Sequence, residues 1–198
     1  MSDIDIAYEQ INDFLISKDE KTLLVCGIAD EAKHLTLLKA LNAQGKSKGL
    51  IYLIHTTKDG MENFFHWAGL HKVKVPKKYG QSMQLSNLTI YFDNLSTKGY
   101  SSKYDNYAFD FMIVWPMQSA TKNPEEIEML RKMAERQKTK KIIYLTIHEP
   151  WYSGDPLKPN VDRIIQLDCE NDNPQEYQRI MSAYEEDTKR QDQRNRFY

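Results

Sequence analysis

Four apolar residues, Leu23-Leu24-Val25-Cys26, run into Gly27, and a stretch with leucines at helical spacing, Leu35, Leu37, Leu38 and Leu41, follows. Consecutive apolar positions belong to a strand buried on both faces, and glycine lets the chain turn sharply out of it. The segment between them, Gly27-Ile28-Ala29-Asp30-Glu31-Ala32-Lys33-His34, has the spacing of the phosphate-binding loop G-x-x-x-x-G-K-[ST]. In that loop a second glycine brings backbone N–H groups close to phosphate and a hydroxyl holds Mg²⁺. Ala32 and His34 stand at those two places. The frame of strand, turn and helix is therefore present, while both positions that carry its chemistry are changed.

The rest of the chain repeats the alternation. Ile4, Tyr8, Ile11 and Leu15 place an amphipathic helix over residues 4–17, and the second helix ends near residues 45–49. Apolar runs at residues 50–54, 88–92, 109–115, 141–147 and 161–167 read as strands, those at 88–92 and 109–115 as central ones. Residues 60–70 carry Phe64, Phe65 and Trp67 and read as a helix. Pro124 opens another, with Glu125, Glu126 and Glu128 near its positive end and Arg131, Lys132 and Arg136 further on. A last helix from Pro174 runs into a polar tail.

Strands alternating with helices predict an α/β fold with a three-layer, mostly parallel sheet, whose ligands bind at the carboxyl ends of the strands. At 198 residues the chain is one domain's worth of core. An N-terminal helix (1–18) is expected to pack on an α/β unit (19–170), followed by a C-terminal helix and tail (171–198). The net charge of −1 gives no global field of the kind that marks a nucleic-acid or membrane-surface binder, so any such function needs a local patch. Cys26 and Cys169 lie in apolar runs without C-x-x-C spacing and read as reduced core thiols. No apolar run reaches the ~18 residues of a membrane span, and the first residues lack the basic and apolar regions of a signal peptide. A cytoplasmic location without membrane contact is the resulting expectation.

The order of these pieces resembles the RecA-like branch of P-loop ATPases, including the motor domain of replicative hexameric helicases, over residues 19–170. On that resemblance residues 23–34 correspond to the Walker A strand and loop, 50–54 to the second strand, 109–114 to the Walker B strand, and 142–148 to the strand that senses the γ-phosphate. Gly27, Lys33 and His34 become the candidate nucleotide- or anion-binding residues. The departures fall where catalysis would lie. Trp115-Pro116 stands where the Walker B strand should end in an acid that holds Mg²⁺ through water. Asp110 lies five residues of strand away, about 16 Å at ~3.3 Å each. The second strand ends in His55-Thr56-Thr57 rather than in a glutamate that would orient water. Asp93 is either a displaced metal ligand or a turn or cap aspartate. His34, His55 and His148 offer three imidazoles with no diagnostic spacing, and neither a G-x-S-x-G elbow nor an H-E-x-x-H motif occurs. No catalytic residue and no resident metal are assigned; ATP with Mg²⁺ is the one candidate cofactor.

Between residues 66 and 104 the chain carries Lys72, Lys74, Lys77, Lys78, Lys98 and Lys103 against a single acid, Asp93, with Trp67, Tyr79, Tyr91, Tyr100 and Tyr104 interleaved. Lysines neutralise phosphates and exposed rings stack on bases, a combination suited to single-stranded nucleic acid. Lys72, Lys74, Lys77, Lys78, Tyr79, Lys98, Tyr100 and Lys103 are the candidate nucleic-acid-binding residues. The competing reading is a solvated basic surface with its tyrosines packed underneath.

The sequence thus favours a degenerate RecA-like protein that acts by binding single-stranded DNA, as a DNA-transaction accessory or regulator, in a homo-oligomer or with a protein partner. The alternatives are an NTPase with a displaced site using Lys33 and Asp93, and a protein–protein assembly subunit.

Overall fold

The computed structural model describes residues 1–54, 56, 59–95, 104, 107–117, 124–136, 138–147 and 156–195. Seven strands form one sheet: β1 (Thr22–Cys26), β2 (Ser47–Ile54), β3 (Ser82–Leu85), β4 (Leu88–Leu95), β5 (Phe111–Trp115), β6 (Lys141–Leu145) and β7 (Arg163–Gln166). Their order is β3-β4-β2-β5-β6-β1-β7. Every neighbouring pair is parallel except β3 and β4. The loop-bearing strand β1 lies inside the sheet between β6 and β7, and β6 separates it from β5. The fold is α/β with a mostly parallel sheet, as the RecA-like resemblance implies.

Both faces of the sheet's interior are covered, which is why β1, β2, β5 and β6 are buried at consecutive positions. Because side chains alternate along a strand, Leu23 and Val25 face one side and Leu24 and Cys26 the other. The first side is packed by α1 (Asp3–Ile16), α2 (Asp30–Ala43) and α3 (Gly60–Trp67), through Phe14, Leu37, Leu41, Phe64 and Phe65. The second receives Leu130 of α4 (Pro124–Arg136), with Phe109, Tyr104 and Leu157. The remaining helix, α5 (Pro174–Asn195), follows β7. Cys26 and Cys169 are buried and free. Among the described residues no helix is long and apolar enough to cross a membrane.

Two strands depart from the sequence expectation. Ser82–Leu85 forms β3, which the sequence does not announce, because an edge strand with alternately exposed positions carries little apolar signal. It pairs antiparallel with β4 through a tight turn in which Ser86 adopts a φ of 51°. The run at 88–92 consequently lies next to the sheet edge rather than at its centre, and it extends through Asp93 to Leu95.

β2 and β5 run side by side with Gly49 opposite Phe111. A Cβ on Gly49 would overlap the Phe111 ring, which is itself buried. Gly49→Ala is therefore expected to cost about 1–3 kcal/mol through overpacking, read as a lower urea midpoint with an unchanged slope. A midpoint equal to the parent's would mean that the ring has room to move.

Candidate functional site

The turn after β1 is built against the end of β7. Gly27 has a φ of +111°, and a Cβ there would collide with the Leu167 carbonyl oxygen, so only glycine fits. The next two amides are already used. The Ile28 N–H donates to the Asp168 carboxylate at 2.8 Å, and the Ala29 N–H donates to the Leu167 carbonyl at 3.2 Å. α2 begins at Asp30, behind an Ala29 that has no side chain to cap it.

Lys33 turns inward and is fully buried. Its amine donates to the carbonyl oxygen of Gly27 in its own loop and to Thr146 Oγ1 at 3.2 Å, and it pairs with Asp30 at 2.9 Å. Thr146, also buried, follows β6, so the polar residue at the end of that strand serves the lysine. Burial pulls the Lys33 amine below its ordinary value, and the Asp30 carboxylate opposes that shift. Neither the solvated lysine nor the aspartate cap weighed from the sequence is found: the lysine lies in the interior, and the Asp30 side chain pairs with it instead of capping α2.

His34, at the hydroxyl position, is buried as well. Its Nδ1 meets the Asp30 carbonyl oxygen at 2.7 Å, which makes Nδ1 the protonated, donating nitrogen. Nε2 is buried with no hydrogen-bond partner among the described residues. The ring packs edge-on against Phe64 at 5.4 Å and Trp115 at 5.9 Å. Burial pulls its pKa from 6.5 down to about 3; the Asp30 carbonyl opposes this and the charge on Lys33 adds to it.

The other candidates are dispersed. Asp93 is buried within β4, paired in register with Tyr52 of β2. Three to four strand spacings separate β4 from β6 and β1, about 14–19 Å, so Asp93 and Lys33 do not share a site. Asp110 lies at the amino end of β5, where it accepts from the Lys48 N–H at 2.9 Å and the Lys140 amine at 2.8 Å. His55 and His148 lie outside the described residues, among which no group of three His, Cys, Asp or Glu side chains could hold a metal.

Lys72, Lys74, Lys77 and Lys78 are exposed on the segment that joins α3 to β3, while Val73 and Val75 alternate with them toward the core. Tyr79 also turns inward, and its hydroxyl is buried. Tyr104 is buried beside Tyr91 and Phe109, and Trp67 is 41% exposed. Of the interleaved rings expected to stack on bases, Tyr79 and Tyr104 are therefore core residues. Lys98, Tyr100 and Lys103 lie outside the described residues.

A groove of about 880 Å³ opens beside the loop, between residues 28–32 and α5. Ile28, Leu35, Trp67 and Ile180 give it apolar walls. Its charged lining is Asp30, Glu31, Asp168, Asp172 and Glu176 against Arg179 alone, a field that repels polyphosphate. The sequence does not show this acidity, because the loop and the region around α5 are more than a hundred residues apart.

No family model matches the chain, and no curated protein matches it. Among solved structures the chain is similar to the large terminase from a thermophilic bacteriophage, at 9% identity in one crystal form. A further crystal form of that terminase, in complex with ADP, is similar at 10% identity. Each match has a TM-score of 0.44 and covers 82% of this chain and 44% of the other, so the chain spans less than half the length of the terminase.

Two measurements follow from the buried pair and its neighbour. Lys33→Met strands the Asp30 carboxylate in the interior and is expected to cost about 3–5 kcal/mol, most of which the double variant Lys33→Met/Asp30→Asn recovers. Urea unfolding of the parent, the two single variants Lys33→Met and Asp30→Asn, and the double variant checks this, and a Lys33→Met protein as stable as its parent would place the amine in solvent. His34 binds its proton less readily when folded, so the unfolded chain protonates first and stability falls as pH drops below about 6.5 toward 3. Between about pH 6.5 and about pH 5 the loss should reach about 2 kcal/mol, and His34→Leu should remove that slope.

Proposed function

We propose that the chain is a catalytically degenerate RecA-like P-loop protein that acts by binding, as a single-stranded-DNA-binding or DNA-transaction accessory protein with a regulatory rather than hydrolytic role. One observation carries the first half of this reading: the loop is satisfied from within. Asp168 and Leu167 take the amides of Ile28 and Ala29, and the Lys33 amine is spent on Gly27, Thr146 and Asp30. A nucleotide arriving here would have to displace two carboxylates and enter an acidic groove. Trp115, buried against His34 at the position where the resemblance implies a metal-holding acid, supports the same conclusion.

The second half rests on the exposed lysines 72, 74, 77 and 78, a local excess of positive charge on a chain whose net charge is −1. With Tyr79 turned inward, this segment neutralises phosphates without a ring of its own.

Titration of a fluorescein-labelled oligothymidylate with the full chain, with and without ATP and Mg²⁺, tests both halves. Binding is expected to weaken with salt, to ignore ATP, and to fall several-fold in Lys77→Ala/Lys78→Ala, with the salt slope shallower by about 1.4. No binding at low salt removes the nucleic-acid half; phosphate release that disappears in Lys33→Met/Asp30→Asn overturns the non-catalytic half.

A further inference from the structure

The opposite end of the sheet carries a second concentration of positive charge. There the amino ends of β2, β5 and β6 and the carboxyl end of α1 enclose a cavity of about 640 Å³ lined by Lys18, Lys21, Lys46, Lys140 and Lys141. A neighbouring depression of about 440 Å³ adds Lys48, and the two share Lys46, Ser47 and Asp110, so they form one continuous groove across the amino edge.

Six lysines line this groove against two acids, Glu20 and Asp110. Both acids are occupied. Arg163 holds Glu20 with two hydrogen bonds at 2.9 and 2.7 Å, and Asp110 accepts from Lys140 and from the Lys48 N–H. The Lys141 amine is likewise engaged, donating to the Ser17 carbonyl at 2.7 Å above the Phe14 ring. Lys21 has an interaction of its own as well, which leaves Lys18, Lys46 and Lys48, all exposed, with no hydrogen bond or ion pair of their amines among the described residues. Gln44, Gln84, Asn87 and Thr89 add polar side chains to the lining, and these already donate to Asn12, Ser86, Asn42 and Gln84.

We infer that this amino-edge groove is a second binding site, which takes the phosphodiester backbone of nucleic acid. Three ammonium groups without a partner among the described residues, on one open groove, attract a polyanion and release its counterions. The ring in the lining, Phe111, is buried, so the groove offers no stacking platform and reads backbone rather than base. The inference shares with the proposed function the premise that nucleic acid is the ligand, but it locates the contact on the face opposite the altered loop, away from lysines 72–78.

Anisotropy titrations of the labelled oligothymidylate between about 50 and about 200 mM salt separate the two ideas. Three proteins suffice: the parent, Lys18→Ala/Lys46→Ala/Lys48→Ala, and Lys72→Ala/Lys74→Ala/Lys77→Ala/Lys78→Ala, each checked for an unchanged urea midpoint. The inference expects the amino-edge variant to bind about tenfold more weakly, with a salt slope shallower by about 2, roughly 0.7 for each of its three charges. If the parent binds and the amino-edge variant matches it in affinity and slope, the groove is not a site, and the reading that rests on lysines 72–78 stands. If the parent does not bind at the lower salt, the nucleic-acid premise itself fails and the groove proposal falls with it.

Discussion

The contact between the turn at Gly27 and the end of β7 sets the character of this molecule. A positive φ lets the backbone leave β1 at an angle that brings Ile28 and Ala29 against Leu167 and Asp168. That contact joins an interior strand to its edge neighbour and fixes where α2 starts. It also decides what the loop can bind, because amides bonded to a carboxylate and a carbonyl are no longer donors for a phosphate. Lys33 extends the same logic into the interior, where its ammonium is held by groups of the protein.

Charge is consequently distributed in an unusual way for a parallel α/β sheet. The carboxyl end, where such sheets ordinarily receive ligands, is lined with acids beside the loop, whereas the basic side chains gather on the segment after α3 and at the amino edge. With a net charge of −1 this separation cannot arise from composition; it is made by placement. The proposed binding role rests on those lysines, since the acids beside the loop repel a polyanion.

Much of the frame was legible in the sequence because burial on both faces writes itself as consecutive apolar residues. The strands at Leu23, Leu50, Met112 and Ile142 could be read that way, and the helix opened by Pro124 from its order of charges. β3 could not, since Ser82–Leu85 is half exposed and holds its place through pairing with β4 rather than through burial. Nor could the direction of Lys33: a lysine in the first turn of a helix is ordinarily solvated, and its inward path is set by Asp30, three residues before it, and Thr146, on another strand. The amino-edge lysines escaped for a related reason. Residues 18, 46, 48 and 140 are neighbours only because parallel strands bring every amino end to the same side.

The two carboxylates at the loop balance its positive charge from within. Such a loop gathers partial positive charge from helix-terminal amides and an ammonium, an arrangement that strongly favours an anion nearby. Left empty, it would hold a buried ammonium with nothing to balance its desolvation. Asp168 accepts from the loop amide and Asp30 pairs with the amine, so each meets part of the demand that a phosphate otherwise meets. Lys33 and Asp30 are thus interdependent, each meeting part of the other's buried charge.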